Sequence, residues 1–240
     1  MLKLINFYKK YKGATKYSAE DISFEVGDGK VLGLLGKNGA GKSTTIKSIC
    51  GIIPYDKGQI IVNGFDITKE PEKAKQTVGF SPDDHSIYEK LTGRECLNYM
   101  GALFRTKNED KQRRIQEYAD RLEITAALDK QISSYSHGMK QKVCVIASLL
   151  HQPKLWILDE PMLGLDPQTK KILMDLIREY ATKGNNTVLF SSHDIYTVSK
   201  ICDYVGIINK GKLVDFIDLK NTKYDTTEKL EAHFMELTKN

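Results

Sequence analysis

Long hydrophobic runs are missing from this sequence of 240 residues. The longest largely apolar run is VCVIASLL at residues 143–150, whereas a membrane-spanning helix needs about 20 such residues. The opening stretch MLKLINFYKK also lacks the apolar segment that is typical of a secretory signal. We therefore expect a chain that neither spans a membrane nor is secreted.

Cysteine is scarce, and its spacing excludes the common zinc and disulfide frameworks. No CxxC pair occurs, and the cysteines are scattered along the chain. We interpret them as small buried side chains in a reducing compartment, which predicts a cytoplasmic location. They are Cys50, Cys96, Cys144 and Cys202.

A strong charge imbalance is also absent, since the formal net charge is only +5. Part of the excess lies near the N-terminus, at Lys3, Lys9, Lys10, Lys12 and Lys16. A solvated face is the simplest interpretation of this cluster, and attraction to anionic lipid or nucleic acid is the alternative. We expect no nucleic-acid partner.

A glycine-rich motif follows the apolar run VLGLL at residues 31–35. The motif, GKNGAGKST, fits G-x-x-x-x-G-K-[ST], the pattern of a loop whose backbone N–H groups surround phosphate. Lys42 would place its charge on the β- and γ-phosphates, and Ser43 would offer its hydroxyl to Mg²⁺. The sequence therefore predicts a nucleoside triphosphate site. Its expected residues are Gly36, Lys37, Asn38, Gly39, Ala40, Gly41, Lys42, Ser43 and Thr44.

Two further apolar runs end on residues that could act on a phosphate. The run at 154–161, KLWILDEP, reaches Asp159, which suits Mg²⁺, and Glu160, which could polarise an attacking water. The run at 187–194, TVLFSSHD, ends near His193. We predict that His193 contacts the γ-phosphate, with a purely structural role as the alternative.

A polar stretch at residues 133–142, SSYSHGMKQK, leads into a helical pattern. Ser136 occupies the expected N-cap position, and Met139 is the first residue of the apolar stripe. A helix that begins this way presents free backbone N–H groups, which favour an anion.

Taken in order, these motifs resemble the ATP-binding cassette of ABC transporters over nearly the whole chain. YSHGM resembles the family signature L-S-G-G-Q, GLDP at 164–167 resembles the D-loop with Asp166 as its acid, and SSHD resembles the switch-histidine motif. The resemblance implies that two cassettes pack head to tail, so that the signature of one contacts the γ-phosphate of ATP held by the other. The signature residues are Ser136, His137, Gly138 and Met139.

The resemblance also implies a fold. We expect an α/β P-loop NTPase with a mainly parallel core sheet, an antiparallel β edge subdomain and a helical subdomain. A single ATP-binding domain would span residues 1–220, with the helical subdomain inserted at about 84–150. The helical pattern at 107–124, KNEDKQRRIQEYADRLEI, agrees with this placement. Residues 221–240 would add a short C-terminal helix.

The base of the nucleotide is predicted less directly. By resemblance, Tyr11 would stack on adenine, although Tyr8 and Tyr17 are close enough in sequence to compete. Guanine recognition needs N-K-x-D, and NKGK at 209–212 lacks the aspartate. We therefore expect ATP with Mg²⁺.

One departure from the family pattern follows VGFSP, where the family carries glutamine or glutamate. This sequence has Asp83, whose side chain is a methylene shorter. We expect Asp83 to reach Mg²⁺ through a bridging water, with a loop facing the membrane subunit as the alternative.

The other departure is His137, at the first glycine of the signature. We expect its side chain to lean outward, leaving the Ser136 hydroxyl and the Gly138 N–H to contact phosphate. The alternative is that a protonated His137 adds charge to the closed site.

The resemblance implies an ATP-hydrolysing subunit that dimerises around two ATP molecules and powers export by a separate polytopic membrane subunit. The chain would lie at the cytoplasmic face of the membrane, with an identical or a paralogous cassette as its partner. LTGRECLNYM at 91–100 and LEAHFMELT at 230–238 resemble exporters of drugs, peptides or lipid-linked polymers. The alternative is a soluble cassette ATPase that acts in macromolecular or cofactor assembly.

Overall fold

The strands form two sheets within the residues that the computed structural model describes, namely 1–84, 88–221, 224 and 226–239. In chain order, the strands are β1 (Leu2–Lys9), β2 (Ala19–Val26), β3 (Val31–Leu35), β4 (Lys57–Val62), β5 (Phe65–Asp66), β6 (Val78–Ser81), β7 (Leu155–Leu158), β8 (Thr187–Ser192), β9 (Tyr204–Asn209) and β10 (Lys212–Asp218).

The helices pack on these sheets or form a separate lobe. In chain order, the α-helices are α1 (Lys42–Ile49), α2 (Pro71–Gln76), α3 (Gly93–Leu103), α4 (Asn108–Arg121), α5 (His137–Leu149), α6 (Pro167–Gly184), α7 (Ile195–Ile201) and α8 (Thr227–Leu237). Short 3₁₀ turns occur at Thr125–Ala127 and Ile132–Ser134. Across the described ranges, no helix combines the length and apolarity needed to cross a membrane.

The core sheet has the strand order β10-β9-β3-β8-β7-β6 and is parallel from β9 to β6, with β10 antiparallel to β9. Because side chains alternate across a strand, both faces of the parallel strands are apolar. In β7, Trp156 and Leu158 pack toward the helical lobe, whereas Leu155 and Ile157 pack toward the second sheet. The expected mainly parallel core is confirmed.

The second sheet is antiparallel, with the order β2-β1-β4-β5. Alternating residues of β1, including Leu2 and Leu4, are buried against the core sheet. The helical lobe comprises α3, α4 and α5, and the predicted apolar stripe of α4 is buried there at Ile115, Tyr118 and Ala119. Residues 85–87 of the expected lobe lie outside the described residues.

The cysteines lie in apolar surroundings. Cys50, Cys96 and Cys144 are buried and Cys202 is half-buried, and none of the four forms a disulfide. Burial raises the pKa of all four thiols. Reactive thiolates are therefore disfavoured at these positions.

The buried carboxylate of Asp203 joins three segments of the chain. It accepts hydrogen bonds from the Val31 backbone N–H at 2.9 Å and from Arg178 on α6 at 2.9 Å, and Lys220 lies 3.1 Å away. Burial alone would raise the pKa of this carboxyl, but the Val31 N–H and the two cations lower it below its usual range. Asp203 thus fixes the start of β3, the strand that leads into the glycine-rich loop.

We predict that Asp203→Asn lowers the free energy of unfolding by about 1–3 kcal/mol at pH 7, because Arg178 and Lys220 lose their shared anion. Since the folded-state pKa is lowered, the contribution is present above the unfolded-state pKa of about 3.9 and is lost as the pH falls through the folded value. Urea denaturation at pH 7 and below pH 4 measures this difference.

Asp175→Asn on the exposed face of α6 is the matched control and should change stability by less than about 0.5 kcal/mol. Equal stability of Asp203→Asn and the wild type at pH 7 would contradict the proposed role of the carboxylate.

Candidate nucleotide site

The glycine-rich loop joins β3 to α1 at the carboxyl edge of the core sheet, where parallel sheets bind ligands. Gly41, at the N-cap of α1, has φ +112°, and a Cβ on it would lie 2.3 Å from the Ser18 carbonyl oxygen. A Cβ on Gly36 would lie 2.5 Å from the Ile208 carbonyl oxygen. Glycine is therefore required at both ends of the loop, since any side chain would collide with the backbone behind it.

The ammonium group of Lys42 is held inside this loop. Its side chain is 5% exposed, and Nζ donates to the carbonyl oxygens of Gly36 at 2.7 Å and Lys37 at 3.4 Å. Nζ also lies 3.3 Å from Glu160 Oε1. The predicted phosphate-binding cation and the predicted base therefore lie in direct contact.

Asp159 and Glu160 follow β7 directly, as the sequence predicts. Glu160 adopts the left-handed region with φ +46°, which costs a non-glycine residue about 1 kcal/mol. Its backbone N–H donates to Ser191 Oγ at 2.9 Å, and its Oε2 lies 3.0 Å from His193 Nδ1. Lys42, Glu160 and His193 thus form one continuous row of contacts.

The Asp159 carboxylate is fully buried beside this row. Ser191 Oγ donates to Oδ1 at 2.5 Å, whereas Oδ2 has no hydrogen-bond partner among the described residues. Burial raises the pKa of Asp159, an effect that the hydrogen bond from Ser191 and the nearby Ser43 hydroxyl oppose and the charge of Asp83 reinforces. An unpaired carboxylate oxygen in this position is suited to a cation.

The oxygen atoms around Asp159 are ligands that suit Mg²⁺ rather than a transition metal. Mg²⁺ takes oxygen ligands and is typically bound by one or two carboxylates together with substrate phosphates. Ser43 and the free oxygen of Asp159 would hold it, with Asp83 on the adjoining wall. No cluster of three or more His, Cys, Asp or Glu residues suited to a metal ion occurs in the described part of the chain.

One cavity of about 720 Å³ collects most of the predicted site. Residues of the glycine-rich loop form its floor, and residues from the ends of β6, β7 and β8 form its walls. The exposed side chain of Leu163 also borders it, which the sequence did not predict. The lining residues are Ser18, Asn38, Gly39, Ala40, Gly41, Lys42, Ser43, Thr44, Asp83, Glu160, Leu163 and His193.

Tyr11 lies beside the end of the glycine-rich loop. Its hydroxyl lies 3.4 Å from Thr44 Oγ1, and its ring is 43% exposed and accessible to a flat ligand. Tyr8 and Tyr17 instead pack against each other, with ring centroids 5.5 Å apart. Tyr17 also borders a cavity with Gly39 of the loop, so the placement of Tyr11 beside the base stays a prediction.

The signature residues lie outside the cavity of their own chain. Ser136 is exposed and caps α5, accepting a hydrogen bond from the Met139 N–H at 3.3 Å. The side chain of His137 is exposed, yet it lies over Gly164, with Nδ1 2.7 Å from the position that a Cβ on Gly164 would take. Gly138 and Met139 are half-buried in the first turn.

Asp166 has a structural partner that the resemblance did not predict. It caps α6, accepting hydrogen bonds from the Thr169 N–H at 2.9 Å and the Thr169 hydroxyl at 2.7 Å. An aspartate directly before Pro167, a proline at the first helical position, is the usual signal for such a cap.

Ser191 is the contact that sequence reasoning missed. It joins Asp159 to the Glu160 backbone although it lies more than 30 residues away along the chain. The only sequence signal for Ser191 is that it begins the SSHD motif, two residues before His193.

Comparison with known proteins agrees with this geometry. A family model described as ABC transporter matches residues 19–163. The linearmycin resistance ATP-binding protein LnrL of Bacillus subtilis is 37% identical over 214 residues, which cover 89% of this chain and 68% of the relative. The ABC transporter ATP-binding protein NatA of Bacillus subtilis is 31% identical over 217 residues, covering 89% and 88%.

Solved structures give the same fold. The structure of an ATP-binding subunit of an ABC transporter superposes with a TM-score of 0.90 at 30% identity and covers 100% of both chains. The ATP-binding cassette MJ0796, a dimer bound to ADP and Pi, superposes with a TM-score of 0.86 at 21% identity, covering 92% of this chain and 100% of that one. The chain therefore belongs to the ABC transporter family, as one of its ATP-binding cassette ATPases.

Proposed function

We propose that this cassette pairs with a second cassette around two ATP molecules and powers export by a separate membrane subunit. The observation that carries the proposal is the row of contacts from Lys42 through Glu160 to His193, beside the unpaired oxygen of Asp159. Lys42, Glu160 and His193 thus line one cavity, and Asp159 is buried directly beside Glu160.

The Lys42 ammonium and the Glu160 carboxylate are direct partners. A bound γ-phosphate would compete for this ammonium, which lies 3.3 Å from Glu160 Oε1. Glu160 would then be free to accept a proton from the attacking water, and His193 would orient Glu160 and contact the γ-phosphate. Mg²⁺ held by Ser43 and Asp159 would neutralise phosphate charge.

The cavity of one chain forms only half of the ATP site, and a second chain completes it. The capped start of α5 at Ser136 offers N–H groups to an anion but lies away from the cavity of its own chain. The exposed side chain of Leu163 borders the same cavity. A second cassette, identical or paralogous, would cover this side chain and supply the signature contact.

An apolar surface beside α3 supports the membrane partner. Ile52, Leu103, Tyr88 and Tyr99 are all exposed, and between the core and the lobe lies an adjoining cavity of about 270 Å³ lined by residues such as Phe104. Large exposed hydrophobic groups mark interaction sites. We assign this surface to a cytoplasmic segment of a polytopic membrane subunit, which would keep the cassette at the membrane face.

The name of one relative supports export. It is described as a linearmycin resistance ATP-binding protein, and export is one way in which an ATP-driven transporter gives resistance. In this proposal the membrane subunit contacts the cargo, so the cassette supplies the energy and the partner supplies the specificity.

We predict that Glu160→Gln retains ATP binding, lowers kcat at least about 100-fold and accumulates a dimer with Mg-ATP, because the amide cannot accept the proton of water. Calorimetry measures ATP binding, phosphate release measures kcat, and light scattering measures the dimer. Glu109→Gln, on the exposed start of α4, is the control and should match the wild type. Near-normal turnover of Glu160→Gln would remove Glu160 from its assigned role.

We further predict that tagged Glu160→Gln, with Mg-ATP, captures a stoichiometric polytopic protein from detergent-solubilised membranes of the native host. Leu103→Asp added to this variant should abolish capture, because it places a charge on the apolar surface. Met235→Asp, exposed on α8, is the control. Recovery of only soluble protein or ribosomes would instead favour an assembly ATPase.

A further inference from the structure

The end of helix α8 lies against the outer side of the glycine-rich loop. Lys37, the second residue of the loop, directs its ammonium group away from the cavity and donates to the Thr238 carbonyl oxygen at 3.0 Å. Asn209, at the end of β9, donates to the Leu237 carbonyl oxygen at 3.1 Å. Two side chains near the nucleotide site therefore bind consecutive carbonyls of one helix end.

The backbone of Lys37 faces the opposite direction. Its carbonyl oxygen accepts hydrogen bonds from the Ala40 N–H at 3.1 Å and from Lys42 Nζ at 3.4 Å. Lys37 thus connects α8 on the outside of the loop with the phosphate-binding cation on the inside. A shift of Lys37 would move one of the carbonyls that orient Lys42.

Asn209 supports the loop through the β9–β10 turn. In this turn the Gly211 N–H donates to the Ala40 carbonyl oxygen at 2.8 Å. The α-carbon of Gly211 also lies 3.4 Å from the position of a Cβ on Gly41. The hydrogen bond between Asn209 and α8 therefore helps to hold the β9–β10 turn in contact with Ala40, in the middle of the loop.

Helix α8 is itself firmly held. Leu230 and Phe234 are buried in the core, Thr227 hydrogen-bonds to Ser199 on α7 at 2.7 Å, and His233 lies 2.7 Å from Asp215. The last carbonyls of a helix carry partial negative charge, so the Lys37 cation is a favourable partner for them.

We propose that Lys37 and Asn209 are positioning residues through which α8 holds the glycine-rich loop in its phosphate-binding shape. This inference rests on the proposed nucleotide site. The Lys37 side chain binds the end of the helix, and the Lys37 carbonyl oxygen accepts hydrogen bonds within the loop. The affinity for ATP then depends on a helix that does not touch the nucleotide.

The test measures the dissociation constant of Mg-ATP by calorimetry in the Glu160→Gln protein, which prevents turnover. Lys37→Met and Asn209→Ala should each raise the dissociation constant about two- to tenfold, the range for one hydrogen bond. The double variant should fall short of the product of the two effects, because both contacts act through the same helix end. Lys37→Arg should restore most of the affinity, since it keeps the cation.

Met235→Gln is the matched control, because Met235 is exposed on the same helix. It should bind ATP as the parent does. Unchanged affinity in both Lys37→Met and Asn209→Ala would overturn the inference while leaving the proposed function intact. A Glu160→Gln parent that does not bind ATP would contradict the proposed function and overturn the inference with it.

Discussion

The nucleotide site depends on one buried cation, the ammonium group of Lys42 in the glycine-rich loop. The Lys42 ammonium is almost removed from water, and an uncompensated charge in such a place is costly. Carbonyl oxygens of Gly36 and Lys37 and the carboxylate of Glu160 compensate it. In the proposed function, the γ-phosphate takes the place of this carboxylate as the anionic partner of Lys42. The burial of one cation thus links the stability of the loop to the binding of ATP.

Much of the architecture follows from local sequence patterns. The apolar run that became β3, the cap at Ser136 and the stripe of α4 each depend on residues a few positions apart. Parallel strands then gather their carboxyl ends at one edge, which is why Glu160 and His193 meet the loop although no spacing encodes their contact. The predicted fold class is confirmed, and the predicted site residues from three separate strand ends line one cavity or lie directly beside it.

Other features depend on contacts between distant segments and could not be predicted in this way. Ser191 bonds Asp159 only because β7 and β8 are neighbours in the sheet. His137 lies over Gly164 because the start of α5 meets the D-loop in space, and Lys37 reaches α8 from the other end of the chain. Side-chain direction in these cases is set by tertiary packing, which a motif does not specify.

Mixing equal amounts of two inactive variants of this cassette tests whether the ATP site is shared between two chains. A Lys42→Ala chain keeps an intact signature, and a chain with Ser136→Glu keeps an intact loop, so each alone should lack turnover. Random exchange would give mixed dimers with one complete site, and about a quarter of wild-type ATPase activity should return if sites act independently. Full activity of Ser136→Glu alone, or no recovery despite demonstrated exchange, would contradict a site shared between two chains.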